Sequence, residues 1–249
     1  RTKMSLELIV QHPIYKRLLK FSASTEVREK LLRLLQYFVR FLRYWKFKAV
    51  LSPELHSMLP VLQTYFNLMR KPLRVLKPLN HLNSLSTCIS DELADPILRY
   101  AETLKQFGFV CFFSLDSIQL LKMIGLLGGK GVNEQLGQSK LVKNVNKYAG
   151  LMWSIALLGG LLKNLRQFQI LLCRWLGENG EKLVDEKTTP KAPILSLTNI
   201  KRDFIKNVLD FVIASNLYAS WLPNDGIIGG CGVVTSAMAI GDMWRKTSV

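Results

Sequence analysis

The chain has 249 residues, 49% of them hydrophobic and 21% charged, with 34 Lys and Arg against 18 Asp and Glu for a net charge of +16. Such an apolar fraction excludes a disordered chain, and it is high for a soluble domain with this much charge. The combination points to an anionic partner surface that also takes up apolar groups. Residues 1–82 carry most of the imbalance, with 16 cationic side chains against 4 acidic ones.

Four cysteines (Cys88, Cys111, Cys173, Cys231) lie far apart, and His12, His56 and His81 are scattered. Neither set has metal-ligand or disulfide-framework spacing, so the thiols are expected to stay reduced and no metal or cofactor is expected. No sequon occurs, and no apolar stretch near the start has the form of a cleaved secretory signal.

Strand signals are almost absent, and most segments repeat apolar residues at helical spacing. The first strong helix is "STEVREKLLRLLQYFVRFLRYW" (24–45), where Ser24 or Thr25 can cap and Glu26 and Glu29 favour the helix start. Leu31, Leu34, Leu35, Phe38, Leu42 and Trp45 make one apolar stripe, with Arg33, Gln36, Arg40 and Arg43 on the other side. The stripe suits either a packed core or the headgroup layer of a membrane. Ser52-Pro53 then opens a second helical region over about 54–71.

"RKPLRVLKPLNHL" (70–82) follows, mixing four cations, two prolines and five aliphatic side chains. At helical spacing Arg70, Arg74, Lys77 and His81 project within about 40° of one another, while Leu68, Val75, Leu79 and Leu82 point away. Pro72 and Pro78 are expected to kink this ridge or divide it into short pieces.

Asp95-Pro96 reads as an N-cap followed by Pro at the first helical position, opening a helix to about Leu121. Within its apolar part Asp116 is isolated, and Lys122 or a solvated face is the expected partner. A Gly-rich break covers 128–140. "YAGLMWSIALLGGLL" (148–162) gives fifteen uncharged residues, short of the ~20 that a membrane span needs. Residues 177–193 read as a linker, in which Thr188, Thr189 and nearby Ser196 are accessible to modification. The C-terminal part reads as a Gly-rich helical hairpin turning at 223–226. Its second arm carries Gly226, Gly230, Gly232 and Ser236 at the small-residue spacing that lets helices approach in lipid, and these four are candidate oligomer contacts.

Catalytic signatures are missing. "GLLGGKGVNEQLG" would need Gly at Ile124 and Ser or Thr at Gly131 to be a phosphate loop, and no nucleophile–base pair is apparent, so no enzyme is expected. The basic pI invites a nucleic-acid reading. The cations alternate with apolar stripes rather than polar base-reading residues, which argues against it.

The expected architecture is therefore an all-α, multi-helix membrane-associated bundle with amphipathic N-terminal helices and a Gly-rich C-terminal hairpin. It reads as one domain over 1–249, divided into a basic amphipathic region (1–89), central apolar helices (90–176), a linker (177–199) and the hairpin (200–249).

Several stretches, taken together, resemble the fungal peroxin eleven proteins, which are peroxisomal membrane elongation factors. They are "LIVQHPIYKRLLKF", with Met4 where the family's initiator falls, "VREKLLRLLQYFVRFL", "RKPLRVLKPLNHL", "FFSLDSIQLL" and "GVVTSAMAIGDMW", in this order and at similar separations. The match spans nearly the whole chain and is loose over 128–200. Two departures stand out: Val27 replaces the family's usual Gly before Arg28-Glu29-Lys30, and Pro72 occupies a helix position. The resemblance implies a multimeric helical protein of the peroxisomal membrane that binds acidic bilayers, tubulates them and elongates peroxisomes before fission. It also implies recruitment or stimulation of a dynamin-related GTPase through a tail-anchored adaptor. A pore for small metabolites is the alternative. Carried over by residue, the membrane-binding positions are Leu68, Arg70, Lys71, Arg74, Val75, Lys77, Leu79 and Leu82, within an amphipathic region of about 54–87.

Overall fold

A computed structural model describes residues 10–44, 52–91, 95–127, 139–180 and 197–247, and every regular element among them is helical. Helix α1 (Pro13–Ala23) starts on the His12 ring, whose Nδ1 accepts from the Ile14 amide at 3.2 Å. Ser24 takes an extended backbone and forms the corner into α2 (Thr25–Tyr44). Helix α3 (Pro53–Arg70) begins as the sequence predicts, with Ser52 Oγ accepting from the Leu55 amide and Pro53 at the first position, where its missing N–H costs nothing.

Pro72 stops α3 and leaves a short 3-10 turn (Pro72–Arg74), after which α4 (Lys77–Ser90) starts afresh. The prolines thus divide the basic stretch into pieces. Asp95 Oδ1 accepts from the amides of Ile97 and Leu98 and opens α5 (Pro96–Met123), two residues longer than expected. One helical turn (Lys140–Lys143) precedes α6 (Val145–Gly180), a 36-residue helix that absorbs the fifteen-residue apolar run. Helix α7 (Leu197–Ala219) and α8 (Asp225–Lys246) complete the order, α8 capped by Asn224, whose side chain accepts from the Gly226 amide at 2.9 Å. Most of the Gly-rich break, the linker from 181 on and Thr188, Thr189 and Ser196 lie outside the described residues.

The contacts group into two compact units, each built from separated stretches of chain. The first takes residues up to Leu76, 116–143 and those from Ser220: α1, α2, α3, the 3-10 turn, the end of α5 and α8. Here α2 packs along both α3 and α8. The α8 contact is close because glycines line it: a Cβ on Gly229 would sit 2.7 Å from the Phe41 backbone nitrogen, and one on Gly232 would overlap the Tyr37 ring. At the far end Arg17 lies over the Trp244 ring and donates to its carbonyl oxygen at 2.6 Å.

The second unit comprises Lys77–Leu115 and Asn144–Ala219: α4, most of α5, α6 and α7. Helix α6 packs on α7, and α5 meets α6 where Gly108 faces the Ala156 backbone and Gly159 faces Ala101 and Lys105. Phe112, Phe113 and Ala149 form its buried apolar centre with Phe109 and Trp153 around them. The expected C-terminal hairpin is therefore corrected. Its two arms belong to different units, α7 packing on α6 and α8 on α2, because the glycine face of α8 fits the aromatic residues of α2.

Candidate functional site

In the first unit a set of charged side chains lies inside, beside Phe21, Val27, Val39, Leu59 and Ile228, while many large apolar side chains lie outside. On α2, Glu29, Arg33 and Tyr37 are buried, while Leu31, Leu35 and Phe38 from the predicted stripe are exposed. Leu34 and Leu42 are half-buried, and Trp45 lies outside the described residues. Helix α1 turns Ile14, Leu18 and Leu19 outward, and α3 does the same with Met58, Val61, Leu62 and Tyr65. A bundle stable in water buries leucine and exposes arginine, so this arrangement suits an apolar surrounding.

The interior is a cluster of ions contributed by four elements. Arg70, at the end of α3, donates from Nη2 and Nε to Glu29 Oε1 of α2 at 3.1 and 3.3 Å, and from Nη1 to Gln36 Oε1. Lys71 Nζ donates to Asp116 Oδ1 and Gln119 Oε1 of α5, each at 2.6 Å. Arg74, on the 3-10 turn, donates to Asp116 Oδ2 at 2.9 Å, and its Nε lies 3.9 Å from Glu29 Oε1. Arg33 donates to Thr235 Oγ1 of α8 at 3.2 Å. Arg70, Lys71 and Arg74 are only 6%, 2% and 7% exposed. Burial and the neighbouring Arg74 push the Arg70 guanidinium down to about 10, and burial lowers the Lys71 ammonium against the opposing pull of Asp116. Arg70 stays cationic at neutral pH.

Of the eight expected membrane-binding residues, Arg70, Lys71 and Arg74 are turned inward and brought together, while Lys77 lies in the other unit with its ammonium 5.5 Å from the Phe113 ring centre. Leu68 is half-buried, whereas Val75, Leu79 and Leu82 are exposed. Asp116 pairs with Lys71 and Arg74 rather than with Lys122, whose ammonium donates to the Val142 carbonyl at 3.0 Å. Sequence reasoning missed Glu29 as a counter-ion and treated it as helix-start chemistry. The available signal was a carboxylate on the arginine face of α2, where a charge buried with arginines needs a partner. Gly226, Gly232 and Ser236 are buried and Gly230 is partly so, with the α8 glycine face covered by Tyr37, Phe41 and Tyr44 of α2.

The second unit carries its own polar chain. His81 is stacked against Phe109 and Phe113, with centroids 5.0 and 5.2 Å away, and its Nδ1 lies 2.7 Å from Gln106 Oε1. Gln106 Nε2 donates to Glu102 Oε1 at 2.6 Å, which leaves its amide oxygen to accept from the His81 ring. Burial alone would raise the Glu102 carboxyl, but Lys105 and Lys163 outweigh it and bring it down to about 2. Burial lowers the imidazole of His81 below its ordinary value, so the ring is neutral at pH 7.

Among the described residues two helices are long and apolar enough to cross a membrane: α6 over Val145–Gly177 and α8, whose 18-residue apolar stretches have mean hydropathies of 1.2 and 1.4. In the sequence the apolar run of α6 reads as short for a span, because Lys147 and Lys163 bound it. The family model for Peroxisomal biogenesis factor 11 (PEX11) matches residues 15–244. The chain belongs to the PEX11 family. Peroxisomal membrane protein PMP30B of Candida boidinii is 37% identical over 96% of this chain and 97% of its own length. Peroxisomal membrane protein PMP27 of Saccharomyces cerevisiae is 32% identical over 98% of the chain and 100% of its own length. Peroxisomal membrane protein 11B of Homo sapiens is 24% identical over 89% of the chain. No solved structure matches it significantly. This PEX11-family chain is an all-α protein of the peroxisomal membrane with a part in peroxisome proliferation.

Proposed function

We propose that the chain shapes the peroxisomal membrane: α1, α2 and α3 seat their apolar faces in the bilayer, α6 and α8 anchor the protein, and the resulting curvature elongates the organelle before fission. The observation that carries this reading is the reversed burial of the first unit, where Glu29, Arg33, Arg70, Lys71, Arg74 and Asp116 are interior and the leucine faces of three helices are exterior. Each apolar side chain seated fully in hydrocarbon contributes ~1.5–3 kcal/mol, and less at headgroup depth. Ten such residues on α1 to α3 therefore outweigh the entropy of holding the unit at an interface. A protein wedged into one leaflet expands that leaflet relative to the other, which favours a narrow tubule.

One copy deforms little membrane, so self-association is part of the proposal. The elongated membrane then becomes the substrate on which a dynamin-related GTPase acts. The test is to reconstitute the full chain into unilamellar vesicles and image them. Tubules whose number rises with protein density support membrane shaping. Spherical vesicles that instead release a trapped small solute would favour the pore.

A further inference from the structure

We infer that Glu29 and Asp116 form a carboxylate clamp on Arg70, Lys71 and Arg74, and that anionic lipid headgroups open it by competing for the same three cations. The inference rests on the membrane-shaping reading and names the lipid chemistry to which this site responds.

Four observations lead to it. All three cations are buried within the first unit, and all three point at the two carboxylates over the distances given above. Among the described residues two carboxylates, Glu29 and Asp116, face the three cations Arg70, Lys71 and Arg74, and Arg33 sits close enough to depress Arg70 further. A buried hydrogen of the cluster is also unused: among the described residues Arg74 Nε has no hydrogen-bond acceptor, and Glu29 Oε1 lies 3.9 Å from it. A phosphate oxygen would supply both a further negative charge and an acceptor. Lastly, the chain is weakly held just after Arg70 and Lys71, the last residue and C-cap of α3. Arg74 sits on a three-residue 3-10 turn closed by bonds of 3.0 and 3.4 Å, a geometry poorer than an α-helix, and Pro72 offers no amide to add to them. The turn runs out at Val75 and Leu76, which are 40% and 72% exposed. The apolar neighbours of the cations thus already face the surroundings, and only the charges are withheld.

In the closed state the basic turn contributes nothing to lipid attraction. Near a leaflet rich in anionic headgroups the three cations exchange Glu29 and Asp116 for phosphate and carboxylate groups outside. The clamp thus sets how much anionic lipid is needed before the junction between α3 and α4 engages.

The experiment uses the full chain in neutral detergent and then with vesicles of phosphatidylcholine, alone or mixed with phosphatidylserine. Release is read by mass spectrometry as acylation of Lys71 with a water-soluble amine reagent, and binding by flotation. Circular dichroism checks helix content. Asp116→Asn keeps the shape and an acceptor oxygen but removes the charge; Glu29→Gln does the same at the other pole and serves if the first variant loses helicity. Each variant is expected to label Lys71 faster in detergent and to bind mixed vesicles tighter by about fivefold per released cation, with binding to phosphatidylcholine unchanged. Arg70→Gln with Arg74→Gln is expected to lower the preference for mixed vesicles by up to about 25-fold, fivefold for each cation removed. Faster Lys71 labelling with unchanged or weaker binding to mixed vesicles would overturn the clamp and leave the cluster as packing alone. An undiminished lipid preference in the double arginine variant would overturn it too. Tighter binding by the carboxylate variants without tubules from any form supports the clamp and sinks only the membrane-shaping reading.

Discussion

The same substitution at two glycines of α6 is expected to change stability in opposite directions. Replacing a helical Gly by Ala removes backbone entropy from the unfolded chain and contributes about 0.5–1 kcal/mol wherever the methyl group has room. Gly177 has room, since a Cβ there meets nothing within 4 Å. Gly159 has none: its Cβ would lie 2.6 Å from the Lys105 nitrogen, 2.7 Å from the Ala101 carbonyl oxygen and 3.0 Å from the Lys105 Cα. All three are backbone atoms of α5 and cannot rotate aside. Ordinary contact begins at 3.4 Å, so α5 and α6 must part locally by about 1 Å. Overpacking of this kind costs about 1–3 kcal/mol, which exceeds the propensity gain and leaves Gly159→Ala less stable by up to about 2 kcal/mol. Gly108→Ala meets the Ala156 backbone at 2.6 Å and should behave likewise, and the double variant should cost less than the sum because the first methyl group already separates the helices. Thermal unfolding in a mild detergent, followed by circular dichroism, gives the sign directly. A rise in Tm for Gly159→Ala comparable with that of Gly177→Ala would refute the close crossing of α5 and α6.

Two further outcomes follow from the described geometry. His81 is depressed by burial among Phe109, Phe113 and Gln106, with Lys77 and Lys105 opposing its charge and Glu102 favouring it, so the unfolded chain takes up its proton first. Its contribution is therefore complete above the ordinary value of 6.5 and is lost as pH falls below it toward the folded value. Midpoints measured across this range should drop on the acid side in the parent chain and drop less in His81→Gln; equal slopes would exclude His81 as the source. On the outer face of α2, Leu35→Gln with Phe38→Gln should leave helix content intact yet weaken the seating of that face in lipid by about 3–6 kcal/mol. Photolabelling by a lipid-soluble carbene reagent reads this, with less label on α2 in the variant than in the parent chain and α6 as the control, and a parent α2 left unlabelled would show that this face does not meet lipid.

What the sequence by itself determined is local. Ser52-Pro53 and Asp95-Pro96 start helices because a side-chain acceptor and a proline without an N–H suit a first turn anywhere. Pro72 ends α3 for an equally local reason, and the 3.6-residue period of α2 separates its arginines from its leucines before any packing is known. Period does not say which of two faces turns inward. That was decided by partners far away in the chain: Glu29 meets Arg70 across 41 residues, and Lys71 meets Asp116 across 45. Periodicity sets Arg70, Arg74, Lys77 and His81 on one ridge that the prolines are expected to kink or divide, and the break at Pro72 with the new start at Lys77 sends Arg70, Lys71 and Arg74 to one unit and Lys77 to the other. The glycines of α8 were legible as a close-contact surface. Only the tertiary structure could assign α2 to it, because a missing Cβ specifies how near a neighbour can come and carries no information about which neighbour it is.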